Sequence, residues 1–184
     1  MNPDDALVVF ADLQEGIVER ARTIDRQILG RGVTALAQLA MIFELPVIVT
    51  TVPGPDNGPA TLIPEIEAAL GRVSPLQRST TDLFDNDTIR RNIEATGRKT
   101  VIIAGVATEV AVQRPCLSGV ARGYAMQVVV DACGGVSARS EQASLDRLLQ
   151  AGVVLTSIPS LAGELAADFT QPRAQRALGI LMRA

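Results

Sequence analysis

Histidine is missing from all 184 residues. Without an imidazole, a Ser-His-Asp or Cys-His relay has no proton shuttle, and zinc sites lose their usual nitrogen ligand. Chemistry in this chain must therefore come from carboxylates, Arg or Lys, hydroxyls, backbone amides or a thiol. Thiols are scarce as well: Cys116 and Cys133 are the only two cysteines, too few for a disulfide scaffold at this length, and are expected to be reduced. Trp is absent, there is one Tyr and there are four Phe, and 17 basic against 20 acidic residues leave a formal net charge of -3 with no basic run. A nucleic-acid partner is not expected, because it needs a phosphate-neutralising face and stacking aromatics. Long apolar runs are lacking too. Stretches such as VIIAGVA at 101–107 are far too short to span a bilayer, so no membrane partner is expected. The opening MNPDDALVVF has neither the basic start nor the apolar core of a signal peptide, which points to the cytoplasm.

What is present is a regular alternation. ALVVFAD (6–12), PVIVTT (46–51), TVIIAG (100–105), MQVVVDA (126–132) and GVVLTS (152–157) read as strands buried on both faces, being apolar without period-2 alternation. RVSPLQR (72–78) is a weaker strand, its Pro75 marking an edge or a strand start. The segments 25–43, 85–96, 109–123 and 137–151 show helical spacing, with Asp87, Gly97 and Gly123 as boundary marks. A helical tail is expected over about 159–184. This alternation predicts one α/β domain over 1–184, a mostly parallel sheet with helices on both faces, and about two thirds of the unfolded surface buried. The Pro- and Gly-rich loop at 51–64 is the one irregular stretch, a candidate lid or oligomer contact.

In such a sheet ligands bind beyond the carboxyl ends of the strands. The groups expected there are Asp12 and Gln14, Thr50 and Thr51, Arg78, the stretch Gly105 to Ala111, and Asp131 with Cys133. These distant segments are expected to surround one crevice.

Four collinear segments, VVFADLQEGIV, QRSTTDLFDND, TVIIAGVATEVAV and RGYAMQVVVDACGG, resemble the isochorismatase-like hydrolases, the cysteine hydrolase superfamily, and are most similar to its YcaC-like bacterial branch. The resemblance implies a six-stranded, Rossmann-like, three-layer fold, a homo-oligomer (a dimer or a larger ring), a small-molecule substrate and hydrolysis of an amide-type C–N bond through a Cys thioester. It implies a catalytic Asp ending the first strand, a Lys on the third and a Cys at the start of the helix after the fourth. The Asp matches Asp12; Arg78 stands where the Lys is expected, and Ala111 where the Cys is expected. The resemblance also implies a cis peptide at Val106–Ala107. The metal-binding Asp/His set of nicotinamidase relatives is absent, and no metal or other cofactor is expected.

Asp12 is then the acid/base candidate, and Arg78 can hold it and bind a substrate carboxylate or carbonyl as a permanently charged fork. Backbone amides at the helix start, around Val106, Ala107 and Thr108, can stabilise an oxyanion. Gln14, Glu109, Thr51, Phe84, Arg114 and Cys133 complete the candidate substrate-binding set, with ordinary structural roles as the competing reading. Ala111 has no reactive atom. An engineered replacement, a natural loss of the thiol and chemistry that never used one all account for it. Cys116, five residues on, would point about 140° away along a regular helix. The alternatives are vinyl-ether hydrolysis with Asp12 as acid, and a non-catalytic oligomeric binding or scaffold protein.

Overall fold

The computed structural model describes residues 1–54 and 57–181. Pro55 and Asp56 of the irregular loop, and residues 182–184 of the expected tail, lie outside the described residues.

Six apolar segments form one parallel sheet: β1 (Ala6–Ala11), β2 (Val47–Thr51), β3 (Leu76–Gln77), β4 (Thr100–Val106), β5 (Ala125–Gly134) and β6 (Val154–Thr156), in the order β3-β2-β1-β4-β5-β6. Every residue of β1 is fully buried, which explains the absence of alternation in its sequence: a central parallel strand faces helices on both sides. Seven α-helices cover it: α1 (Arg26–Ile42), α2 (Pro64–Leu70), α3 (Asp87–Ala95), α4 (Gln113–Ala121), α5 (Ala138–Gln150), α6 (Ile158–Leu165) and α7 (Pro172–Leu181). The expected tail is thus two helices. Among the described residues no helix is long and apolar enough to cross a membrane.

The helix ends follow from local chemistry. Asp25 accepts from the Gln27 and Ile28 N–H groups at the start of α1, and Asn86, not the expected Asp87, does so for Thr88 and Ile89 at the start of α3. Such caps satisfy donors that a first turn leaves open. Helices α4 and α5 stop at Gly123 and Gly152, whose positive φ lets the next residue's N–H bond back into the last turn: Tyr124 to the Gly119 carbonyl, Val153 to that of Leu148. The same motif closes α1 with Glu44 at φ 55 and Leu45 N–H on the Ala40 carbonyl, a position glycine would fill at less cost.

Three elements depart from expectation. β3 pairs over only two residues, Leu76 and Gln77 against Thr50 and Thr51, because Pro75 before it has no N–H to give. Helix α2 occupies a stretch with no predicted element; Pro64 opens it and only Ile66 is buried, so its apolar periodicity is faint. β5 is longer than expected, and its register against β4 jumps from Ile103↔Val128 to Gly105↔Cys133. Cys133 therefore lies inside the strand rather than after it.

Candidate functional site

The sheet order reverses between β1 and β4, so the chain leaves these neighbours towards opposite faces and opens a crevice at their carboxyl ends. The register fixes what meets there. Ala11 pairs with both Thr50 and Gly105, and the Asp12 N–H continues the ladder onto the Thr50 carbonyl at 3.0 Å. Asp12 then turns the chain at φ 56, a left-handed conformation that Asp tolerates better than most residues. Arg78 leaves β3 at the same level, its N–H on the Thr51 carbonyl at 2.9 Å. Two strand spacings, roughly 10 Å, separate the ends of β3 and β1, and a long side chain is needed to cross them. The guanidinium does so: Nη2 donates to Asp12 Oδ2 at 2.5 Å, and Nη1 donates to the Thr80 carbonyl.

This ion pair is almost dry, with side chains 2 % and 6 % exposed. Among the described residues, Asp12 Oδ1 and Arg78 Nε have no hydrogen-bond partner. Burial pushes the Asp12 carboxyl up to about 6, against the lowering pull of Arg78 and a smaller one from the nearby Thr50 hydroxyl. Desolvation outweighs even a contact ion pair here, which leaves a carboxyl able to hold or release a proton near neutrality.

Asp12 and Arg78 share a cavity of about 250 Å³ with Val106, Ala107 and Ala111. The Val106–Ala107 peptide is cis. Thr108–Val112 then forms a π-helical turn, the Gln113 N–H reaching the Thr108 carbonyl, before α4 proper begins. The expected amide donors are only partly open. Val110 and Ala111 N–H groups both donate to the Ala107 carbonyl, at 3.0 and 2.8 Å. Ala111 is 1 % exposed, its methyl on the cavity wall.

The other predicted residues lie around this cavity without lining it. The Gln14 side chain grips the Val52 backbone at both ends, 3.0 Å to its carbonyl and 2.9 Å from its N–H, and so sets a wall residue. Thr51 is buried and supplies the carbonyl that holds Arg78. Thr108 Oγ1 donates to Glu141 at 2.7 Å, and Glu109 accepts from the Val136 N–H and the Ser140 hydroxyl; both tie the π turn to α5. Phe84 is stacked on Tyr124 with centroids 5.5 Å apart, in the core. Arg114 is exposed, its Nε 3.6 Å from buried Asp82.

Cys133 and Asp131 line a different cavity of about 440 Å³, between α1, β5, α5 and α6. Its carboxylates are engaged: Asp131 accepts the Ile158 N–H at 2.7 Å and Glu141 the Thr108 hydroxyl. Burial pushes the Cys133 thiol up to about 12 and, together with Cys133, raises that of Cys116, which is fully buried. Both thiols are therefore protonated at neutral pH and poor nucleophiles.

Several lining residues were not anticipated from sequence. Ser79, Thr80 and Thr81 follow Arg78 directly and form one rim, Arg20 another, and Val52, Val110 and Val136 are apolar wall. The hydroxyl run was legible as the continuation of the β3 end. The valines become visible only through their exposure, 48 % for Val110 and 53 % for Val136.

Residues 6–160 match the isochorismatase domain model. The chain is 37% identical to the probable hydrolase YcaC of Escherichia coli over 172 residues, 92% of this chain and 81% of that protein. The structure of YcaC from Pseudomonas aeruginosa, which holds hexane-2,5-diol and covalent acrylamide, superposes with a TM-score of 0.89 at 34% identity, covering 98% of this chain and 90% of that one. The Escherichia coli YcaC structure, described as an octameric hydrolase of unknown specificity, gives 0.86 at 36% identity, covering 92% and 83%. With the six-stranded parallel sheet and its order already established, these matches make the chain a hydrolase of the isochorismatase family.

Proposed function

We propose that this chain hydrolyses a small molecule in the Asp12–Arg78 cavity without a covalent enzyme intermediate, Asp12 being the proton-transfer group. The observation that carries this reading is a buried carboxyl held near 6 on a cavity whose wall has a methyl, Ala111, at the start of the helix. In hydrolysis of an amide-type bond, water attacks the carbonyl, Asp12 accepts the water proton and returns it to the leaving nitrogen, and the C–N bond breaks. In hydrolysis of a vinyl ether, protonated Asp12 instead gives its proton to the vinylic carbon, water adds to the resulting cation and returns a proton to the carboxylate, and the hemiketal so formed breaks its C–O bond as that proton passes to the leaving alcohol oxygen. Arg78 keeps the carboxylate in place and stabilises its ionised form. Phe84, Arg114 and Cys133 have no part in this scheme; Gln14, Thr51, Thr108 and Glu109 position its walls. A homo-oligomer is also proposed, in keeping with the octameric relative and with exposed Ile28, Met41 and Phe169.

A second reading, a thiol hydrolase silenced at its nucleophile, draws on the covalent acrylamide of the Pseudomonas relative, since acrylamide adds to nucleophiles. Assays of small amides and vinyl ethers with the wild type, Ala111→Cys and Asp12→Asn separate the two. Turnover by the wild type that is lost in Asp12→Asn supports acid/base catalysis. A pH profile with an inflection near 6, rising with pH for a base and falling for an acid, supports it further. Turnover only in Ala111→Cys refutes it in favour of the silenced thiol enzyme, and silence in both favours an oligomeric binding protein.

A further inference from the structure

Charge is unevenly distributed in the cavity. Asp12 and Arg78 offset one another at its floor, and among the described residues the only other charged side chain lining it is Arg20. Arg20 closes the short 3-10 turn Val18–Arg20 and is exposed at the cavity rim. Its placement is fixed by Gly16, at φ 80, a conformation suited to glycine. The Gly16 carbonyl accepts from Arg20 Nε at 3.2 Å, and the Gly16 N–H donates to Glu19 Oε2 at 2.6 Å. Glu19 is thus engaged with the backbone, while Nη1 and Nη2 of Arg20 have no hydrogen bond or ion pair among the described residues. An anchored Nε with two open Nη groups is a preorganised fork. The same cavity is lined by apolar Ile17, Val52, Val110 and Val136 and by the hydroxyl residues Ser79, Thr80 and Thr81. The volume of about 250 Å³ is roughly that of eight waters in the liquid, at ~30 Å³ each.

We infer that Arg20 is the specificity-determining residue of this cavity and that the substrate is a small monoanion, its carboxylate on the Arg20 Nη groups and its short apolar body against the valines. The inference rests on the reading of this cavity as the substrate site. A dianion would have only Arg78 for its second charge, and that guanidinium is already on Asp12. A neutral molecule would leave the Arg20 fork without a partner.

Binding tests it independently of turnover. NMR titrations of the full chain use 3-methylbutanoate and its neutral counterpart 3-methylbutanamide, with Arg20→Gln and Arg20→Lys as variants. The carboxylate is expected to bind about tenfold more tightly than the amide, as a charge-assisted hydrogen bond allows. Shifts should fall on Val110, Ala111 and Val136, and the preference should shrink with added salt. Arg20→Gln should abolish the preference by weakening carboxylate binding, with its NMR spectrum away from the cavity unchanged to show that the variant is folded; Arg20→Lys should retain part of it. A preference that survives in Arg20→Gln, equal affinities in the wild type, shifts confined to the cavity beside Asp131, or no binding of either compound would each overturn the proposal. The same titration with Asp12→Asn keeps the two readings apart. If turnover persists in that variant the acid/base scheme fails, yet the Arg20-dependent preference stands or falls on its own.

Discussion

Replacing Asp12 by Asn should change how stability depends on pH, and the size of the effect follows from burial. The folded-state pKa of Asp12 is raised from 3.8 to about 6. Between those values the unfolded chain has released the proton and the folded chain still holds it, so the unfolded state binds fewer protons and stability falls as pH rises. The stabilising contribution is complete below 3.8 and lost as pH passes through about 6. At 1.36 kcal/mol for each pKa unit, the shift of about 2.2 amounts to about 3 kcal/mol, of which about 2.4 falls between pH 4 and pH 8. Other groups titrate in this range, Glu65 among them, its carboxyl lowered by the Arg26 hydrogen bond. The difference between wild type and Asp12→Asn removes them to first order.

The assay is urea denaturation of both proteins at half-unit pH steps, reading free energy from midpoints at constant m. At pH 4, where Asp12 is itself protonated and neutral, the Asn variant is expected to be about as stable as the wild type, since Asn stands in for the neutral carboxyl beside Arg78. Its curve should lack the decline through pH 6, so the wild type should lose about 2.4 kcal/mol relative to the variant on going from pH 4 to pH 8. Parallel curves would refute the reasoning: they would mean that Asp12 titrates alike in the folded and unfolded chains, and that Arg78 cancels the desolvation in full.

The remaining predictions bear on the same site and its supports. The wild type should resist iodoacetamide in native buffer because both thiols are buried and protonated, whereas Ala111→Cys should take one adduct by intact-mass measurement, its thiol facing the cavity near Arg78. Arg78→Met should cost about 3 kcal/mol at pH 8, where it strands a buried carboxylate, and less below pH 5, where Asp12 is protonated; urea midpoints at the two pH values check it. Gly32→Ala should destabilise by several kcal/mol, since an added Cβ collides with the Asp131 backbone carbonyl where α1 crosses β5. Gly163→Ala in α6, with open space around it, should instead stabilise by roughly 0.5 to 1 kcal/mol, and thermal melts distinguish the pair.

How much of this was legible beforehand depended on the kind of signal. Strands buried on both faces announce themselves, because no residue of β1 or the middle of β4 has to meet water, and their ends locate Asp12, Arg78 and the Gly105–Ala111 connection without any knowledge of packing. Which side chains then face the cavity is a question of register and local twist, and here sequence spacing misleads. Cys116 is no such case: expected to point away from Ala111, it lies off the cavity and fully buried in the core, although a π turn at Thr108–Val112 precedes it. The register jump in β5 is one, carrying Cys133 to the cavity beside α1. Arg20 escaped notice because a lone arginine in LQEGIVER has no periodicity; its significance comes from the Gly16 turn that anchors it.

The Asp12–Arg78 pair also bears on why a chain lacking the expected thiol is read as more than an empty scaffold. Burying both charges is expensive, and apolar residues of similar volume in such a place are often neutral or stabilising. The fold makes little use of the pair: β1 is already held on both edges by β2 and β4, and the carboxylate leaves Oδ1 without a partner. A structural ion pair would be expected to satisfy its remaining lone pairs, and this one leaves Oδ1 and the Arg78 Nε unsatisfied on a cavity wall. The same dehydration that weakens the pair as a brace raises the carboxyl to about 6, where a proton is exchanged most readily at physiological pH. Under the proposed function the chemistry of the site resides in the carboxyl and its guanidinium, and the residue at position 111 decides only whether the attacking atom belongs to the protein or to water.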